Sequence, residues 1–302
     1  MYLKLLLQKI RVIRNLILKR PILVIYDVTK KCNERCPMCN IWKIESSDMS
    51  LEKIEEKASE LEKFGIGYVF LQGGEPLLRK EIVDIVDIFL QHGIAPTIIS
   101  NGILLDETIA KRISERPCNL AVSIDSLVPE RYEELRGVDL MTKVKKNVIQ
   151  AGKYSHKGNW AITTTVTKKS DLADIKRIRK FAYANGFMYA IRPYISVIGN
   201  AGKRDKELEY DYNDLIEIFQ FIIKKAKREN ALAALIYEDH IKYINKDPME
   251  RCDAMRYSLC MNEGGYFSPC LEMPHKKFSL NEFYRKKKEY KGLIEQCNSN
   301  TP

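Results

Sequence analysis

The chain has 302 residues, enough to bury a large core as one barrel or as a main domain with a small annex. Its 45% hydrophobic and 30% charged residues are those of a soluble globular protein and exclude a disordered or fibrous class. Lys plus Arg number 50 against 40 Asp plus Glu, a formal charge of +10 that suits an anionic partner. No nucleic-acid reader motif accompanies that charge, so nucleic acid is not expected as a partner.

The first twenty residues hold six basic side chains and no acidic one. Leu3, Leu6, Ile10, Ile13 and Ile17 recur at steps of three and four and predict one apolar helical stripe, with Lys4, Arg11 and Arg14 on another side. Two readings stay open for this basic amphipathic segment, residues 1–21. It lies across the end of the main domain, or it rests on an anionic membrane or guides a hydrophobic substrate. The basic residues interrupt the apolar run too often for a transmembrane span.

Pro21 stops that helix, and Ile22 to Thr29 reads as a buried first strand. Ser50 is placed to cap a helix from Leu51, which Gly65 and Gly67 end. Strands are expected at Tyr68–Leu71, Ala95–Ile99, Leu120–Ile124, Trp160–Val166 and Phe187–Arg192. Helices are expected at Lys80–Gln91, Asp106–Ser114, Val138–Ala151, Asp171–Asn185 and Tyr212–Asn230, with one more short strand at Leu232–Tyr237. About six strand–helix units in this order predict an α/β fold of parallel strands with right-handed helical crossovers. A closed eight-unit barrel needs about 250 residues. A partial TIM barrel, approximately (β/α)6, over residues 22–247 is therefore preferred, with functional residues at the C-terminal ends of its strands. Residues 248–302 are expected to form a smaller cysteine-rich module, with GGYFSPC as a hairpin. Lys286, Lys287 and Lys288 read as a solvated helix face.

Eight cysteines stand at 32, 36, 39, 118, 252, 260, 270 and 297. No secretion signal precedes them, and a chain of this size does not need a disulfide framework, so ligation in a reducing cytoplasm fits them better. Cys32, Cys36 and Cys39 follow the first strand closely, within TKKCNERCPMCNIW. Three soft thiolates on one loop suit an iron–sulfur cluster with one iron left open. Structural zinc with a distant fourth Cys, and redox-sensing thiols, are the competing readings. Cys118 lacks a partner at ligand spacing and reads as a buried structural thiol. The four histidines form no metal motif.

The spacing in CNERCPMC resembles the signature of the radical S-adenosylmethionine superfamily. That resemblance implies a [4Fe-4S] cluster on Cys32, Cys36 and Cys39, whose open iron binds S-adenosylmethionine (SAM). It implies reductive cleavage of SAM to methionine and a 5′-deoxyadenosyl radical, which removes a hydrogen atom from a substrate. A reducing electron donor such as flavodoxin or ferredoxin is implied as well. The family often has an aromatic residue just before the third Cys, near the adenine; this chain has Met38.

Further motifs follow the later strands. On chemistry alone the GGEP glycines let backbone approach a ligand, and Glu75 can bind an ammonium or sit in a surface turn. Within the resemblance, Gly73, Gly74 and Glu75 meet the methionyl amine of SAM. Ser100 and Asn101 resemble a turn that shapes the cofactor cavity. Ser123 and Asp125 can contact ribose, or cap and turn the chain. Thr163 and Thr165 are expected on one face of their strand and Thr164 on the other. Arg192 can fork onto a carboxylate of cofactor or substrate.

Cys252, Gly265 and Cys270 resemble the opening of the auxiliary-cluster modules called SPASM and twitch. The closely grouped later cysteines are absent, so a shortened module with an auxiliary iron–sulfur cluster is implied. Cys252, Cys270 and Cys297 are the preferred ligands there, with Cys260 behind them. The function expected is radical modification of a peptide or small molecule. The alternatives are a lipid or prenyl substrate, with peripheral contact at the inner face of a membrane, and a zinc-stabilised non-catalytic binding protein.

Overall fold

The computed structural model describes residues 2–155, 160–194, 205–229, 231–245, 247, 252, 254–271 and 273–294. Helix α1 (Tyr2–Ile17) leads into β1 (Leu23–Thr29). Then come α2 (Leu51–Phe64), β2 (Tyr68–Gly73), α3 (Ile82–Gln91), β3 (Ala95–Ser100), α4 (Glu107–Ser114) and β4 (Asn119–Ser123). Next are α5 (Pro129–Arg136), α6 (Met141–Gly152), β5 (Trp160–Val166), α7 (Leu172–Ala184), β6 (Met188–Pro193), α8 (Tyr212–Glu229) and α9 (Ala231–Asn245). The hairpin β7 (Ser258–Met261) and β8 (Phe267–Ser268) and the short α10 (Phe283–Glu289) follow.

Local chemistry accounts for many boundaries. Ser50 accepts from Lys53 N at the start of α2, and Asp106 and Asp171 cap α4 and α7 in the same way. Gly65 ends α2 at φ +104°, a left-handed conformation that a side chain would strain.

The sheet runs β6-β5-β4-β3-β2-β1-β7-β8, parallel throughout except for the β7–β8 hairpin. Strands β1 to β6 lie side by side in chain order, which is barrel winding and not the reversal of a doubly wound sheet. The partial barrel is thus the observed architecture. The hairpin expected in the small module instead extends this same sheet, with β7 pairing alongside β1 (Ile25 opposite Cys260).

The sheet's two faces differ. Val24, Tyr26, Val69, Leu71, Ile98, Leu120, Val122, Ile162 and Ile191 are buried in the main core. The alternate positions are half-buried or exposed and mostly small or polar, including Thr97, Ala121, Ser123, Thr163, Thr165 and Arg192. Ser123 pairs with Thr163, Thr163 with Ala190, and Thr165 with Arg192, so these residues share the inner, concave face.

Two elements differ from expectation. Leu232–Tyr237 is part of helix α9 and not a strand; its Ala-rich sequence favours helix, and α9 packs on α8 and β6. Helix α5, opened by Pro129 and closed by Gly137 at φ +69°, was not expected. Among the described residues no helix is long and apolar enough to cross a membrane.

Helix α1 lies across the end where the strands begin, with its polar stripe inward. Gln8 donates to Gly67 O (2.7 Å), Arg11 pairs with Glu62 (2.6 Å), and Asn15 donates to Pro21 O (2.8 Å) and Gly65 O (3.1 Å). That end is opposite the cysteine loop. A role in guiding a hydrophobic substrate into the site is not what this placement offers.

Candidate active site

The cysteine loop leaves β1 at Thr29, and GGEP leaves β2 beside it. Gly74 N donates to Thr29 O and Glu75 N to Lys31 O, both at 2.8 Å. Gly73 has φ +127°, and a Cβ on Gly74 would stand 1.9 Å from Lys31 O. The close approach made by these glycines is therefore to the backbone of the cysteine loop, where a ligand had been expected.

Glu75 is fully buried beneath this contact. Its Oε1 accepts from Leu77 N (2.9 Å) and Ser100 Oγ (2.8 Å), and its Oε2 accepts from Asn101 N (2.7 Å). A carboxylate offers about four lone-pair sites, so among the described residues' donors one stays open on Oε2. Burial pushes the carboxyl up to about 7, against the pull of these three donors. Asn101 also reaches the cysteine loop, donating from Nδ2 to Asn33 Oδ1 (2.7 Å). Three motifs far apart in sequence thus form one hydrogen-bonded unit.

Cys32, Cys36 and Cys39 are half-buried free thiols on this loop. Burial is the main cause that raises all three, Cys32 to about 11; the Glu34 carboxylate adds to the rise, and at Cys32 the Glu34 N–H opposes it. Among the described residues no three donors converge as around a single metal ion. A cubane does not require that, because each of its irons takes one protein sulfur. The donor set, three soft thiols on one loop at the strands' C-terminal ends, fits a cluster. Met38 packs against Leu135, Tyr194 and Leu208.

A second unit escaped the sequence reading. Glu34, inside the CNERC segment, is buried and accepts from Tyr132 OH (2.9 Å) and Arg136 Nη1 (3.3 Å), and Cys36 Sγ lies 3.5 Å from its Oε2. Arg136 Nη2 pairs with Asp125 Oδ2 at 2.7 Å, and Thr165 N donates to Asp125 Oδ1 at 2.7 Å. Burial disfavours charge on Arg136, but Asp125 and Glu34 more than offset it and raise its pKa. Asp125 is therefore an internal anchor, with one protein donor on each of its two oxygens. The available signals were a carboxylate between two loop cysteines and an Arg before Gly137, neither distinctive alone.

Ser123, Thr163 and Arg192 share the inner face near this anchor. Arg192 is exposed, yet surrounding protein pulls its pKa down and Asp125 opposes that pull. Thr164 faces the other way, donating to Ile124 O at 2.6 Å. Cys118 is buried, and its thiol is pushed up to about 12.

In the C-terminal region, Cys260 lines a cavity of about 200 Å³ with Asp27, Lys30 and Glu263. Burial first, then Asp27 and Cys270, push the Cys260 thiol up, and Cys260 pairs across the hairpin with Ser268, two residues before Cys270. Cys252 lines a different cavity, with Lys19 and Arg256. Cys297 lies outside the described residues.

Residues 26–182, just over half the chain, match the Radical SAM superfamily, and the chain belongs to it. It is therefore an enzyme of that superfamily, and membership implies a [4Fe-4S] cluster and SAM. The zinc-stabilised, non-catalytic alternative gives way to this assignment. The chain is 26% identical over 262 residues to a Methanocaldococcus jannaschii protein named Probable GTP 3',8-cyclase, covering 81% of this chain and 83% of that one. It is 26% identical over 141 residues to the mycofactocin maturase MftC of Mycobacterium ulcerans, covering 45% and 38%. Its fold resembles that of Streptococcus suis SuiB bound to S-adenosylmethionine, with TM-score 0.73 and 18% identity over 91% of this chain and 68% of that one. SuiB has also been solved with its precursor peptide SuiA, at TM-score 0.67 and 16% identity over 88% and 63%.

Proposed function

We propose that Cys32, Cys36 and Cys39 hold the cluster, that SAM lies across the C-terminal ends of β2 to β6, and that the substrate is a peptide. The observation that supports this most is the shared unit of cysteine loop, GGEP and Ser100–Asn101, which places a buried carboxylate with one open lone pair directly beneath the loop. When bound, the cluster and SAM supply a reductive cleavage that yields methionine and a 5′-deoxyadenosyl radical.

The chain's own residues bind and orient. Glu75 offers its open lone pair to the methionyl ammonium, and Gly73 and Gly74 keep that carboxylate against the loop. Ser123 and Thr163 offer hydroxyls to the ribose, and Arg192 takes a carboxylate of SAM or substrate. Met38 packs near the adenine. The concave face encloses the reacting atoms and limits quenching by water. The electron comes from a reduced flavodoxin- or ferredoxin-type partner.

A peptide substrate is supported by the maturase MftC and by the SuiB–SuiA complex. The match to a protein named as a GTP cyclase favours a nucleotide as the second reading. We further infer that residues 248–302 act as an abbreviated auxiliary module, with Cys252, Cys270 and Cys297 as preferred ligands. Cys260 pairs across the hairpin with Ser268, two residues before Cys270, which supports adding Cys260 to that set.

The test is anaerobic reconstitution with iron and sulfide, then reductant and SAM, with 5′-deoxyadenosine as readout. The product is expected from the native chain and not from Cys36→Ala. Stoichiometric zinc without sulfide, and no cleavage of SAM, would overturn the reading. Mass detection after adding candidate peptides or GTP separates the two substrate classes.

A further inference from the structure

The first helix is packed inside out. Positions 8, 11 and 15, its polar stripe, face the barrel, and Asn15 is 0% exposed. The opposite stripe is bare: Ile10 is 54% exposed, Ile13 55% and Ile17 74%, with Leu7, Leu16 and Leu18 beside them. Leu7, Ile10, Ile13 and Ile17 follow the i, i+3, i+6, i+10 spacing of one helical face. A large apolar stripe left in water marks an interaction site.

The charge beside it indicates the partner. Residues 1–20 hold six cations and no anion; Arg11 is turned inward onto Glu62, which leaves Lys9, Arg14, Lys19 and Arg20 as the described cations of this segment. The cationic surface continues past the helix: Lys19 shares a cavity of about 310 Å³ with Arg256, Lys287, Lys288 and Lys291, and no described lining residue is acidic. Lys287 Nζ donates to Lys19 O, which joins α10 to the end of α1. Lys287 and Lys288 are thus more than a solvated face, whereas Lys286 pairs with Glu289. The Lys287 pKa is pulled down by burial and by Arg20 and Arg256, as expected where cations crowd.

We propose that this face docks on an anionic phospholipid surface, with the apolar stripe of α1 among the acyl chains and the flanking cations at the headgroups. The strands begin at this end, whereas the cysteine loop follows the end of β1. Docking therefore leaves the cysteine-loop end facing water, and lipid is the platform and not the substrate. The proposal does not depend on the reaction assigned above.

Co-sedimentation of the full chain with vesicles tests it. Binding to phosphatidylcholine vesicles containing phosphatidylglycerol is expected. It weakens by at least about tenfold between about 0.1 M and about 1 M salt, as screening shortens from about 10 Å to about 3 Å. Pure phosphatidylcholine binds far less. The double variant Ile13→Ser/Ile17→Ser loses at least about tenfold in vesicle affinity with Tm unchanged, because both side chains are already in solvent. No binding, equal binding to neutral vesicles, or unaltered binding by the double variant would each overturn the proposal. So would a native dimer that the same double variant dissociates, since a second copy would then own the stripe.

Discussion

Arg136 bridges two buried carboxylates, with Nη2 at 2.7 Å from Asp125 and Nη1 at 3.3 Å from Glu34. This ties the loop that carries the three cysteines to the end of β4. Removing the cation while keeping its volume, as in Arg136→Met, leaves two carboxylates buried without a counter-charge. The expected cost is about 3–5 kcal/mol in urea unfolding. Arg136→Lys keeps the charge but not the fork and falls between the two. Equal stability of the Met variant and the native chain would mean that the bridge is not needed.

Gly74 predicts a steric effect. A methyl group there meets Lys31 O at 1.9 Å and Lys30 O at 2.7 Å, both backbone atoms that cannot swing aside. Gly74→Ala is expected to push the cysteine loop outward, at a cost of about 1–3 kcal/mol. Iron and sulfide loading falls with it. Gly264→Ala is the control, since its new Cβ finds nothing nearer than 3.6 Å. Similar loading in both variants would disprove the strap between GGEP and the loop.

Glu75 separates ligand binding from folding. Under the proposed function, Glu75→Gln removes a charge-assisted hydrogen bond, about 1.5–3 kcal/mol, so the anaerobic Kd for SAM rises about 10- to 100-fold. Ser100→Ala deletes one hydroxyl donor to the same carboxylate and the acceptor of Gly102 N but leaves the ligand's own partner in place, so SAM binding loses about 1 kcal/mol, roughly fivefold. If both substitutions weaken SAM equally while iron loading is retained, Glu75 acts only as a structural acceptor.

What could be read in advance follows the range of the forces involved. The ends of α2 were legible because Ser50 and Gly65 act on their own neighbours. Strand β5 was legible because Trp160–Val166 carries a period of two, with Thr163 and Thr164 on opposite faces. The cysteine loop and GGEP were legible as motifs, but not that Gly74 serves the loop's backbone. Glu34, Tyr132 and Arg136 meet only through tertiary folding, across about a hundred positions. The stripe of α1 was legible, but not which side would pack. The barrel end presents Phe64, Gly65 and Gly67 carbonyls, which need donors, so Gln8 and Asn15 turn inward and the isoleucines turn out.

The same interface predicts a pH dependence. His92 Nδ1 lies 2.7 Å from Glu62 and Nε2 lies 2.7 Å from Glu55, while Arg11 of α1 pairs with Glu62 and donates to His92 O. Burial pulls the His92 pKa down, but the two carboxylates outweigh it and the pKa is raised. Burial raises Glu62, and His92 and Arg11 outweigh that and lower it. A raised histidine stabilises fully below its unfolded value of about 6.5, and that contribution is lost as pH climbs through the folded value. A lowered glutamate stabilises above its unfolded value of about 4.3, and that contribution is lost as pH falls through the folded value. The cluster therefore helps most between about pH 4.5 and about 6.5. Solvent screens it, so the histidine share is on the order of 0.5 kcal/mol, or 1–2 °C in Tm. Thermal unfolding at a series of pH values should show His92→Gln losing that increment near pH 6 and matching the native chain near pH 9. A constant gap between the two profiles would show that His92 acts by packing and not by charge.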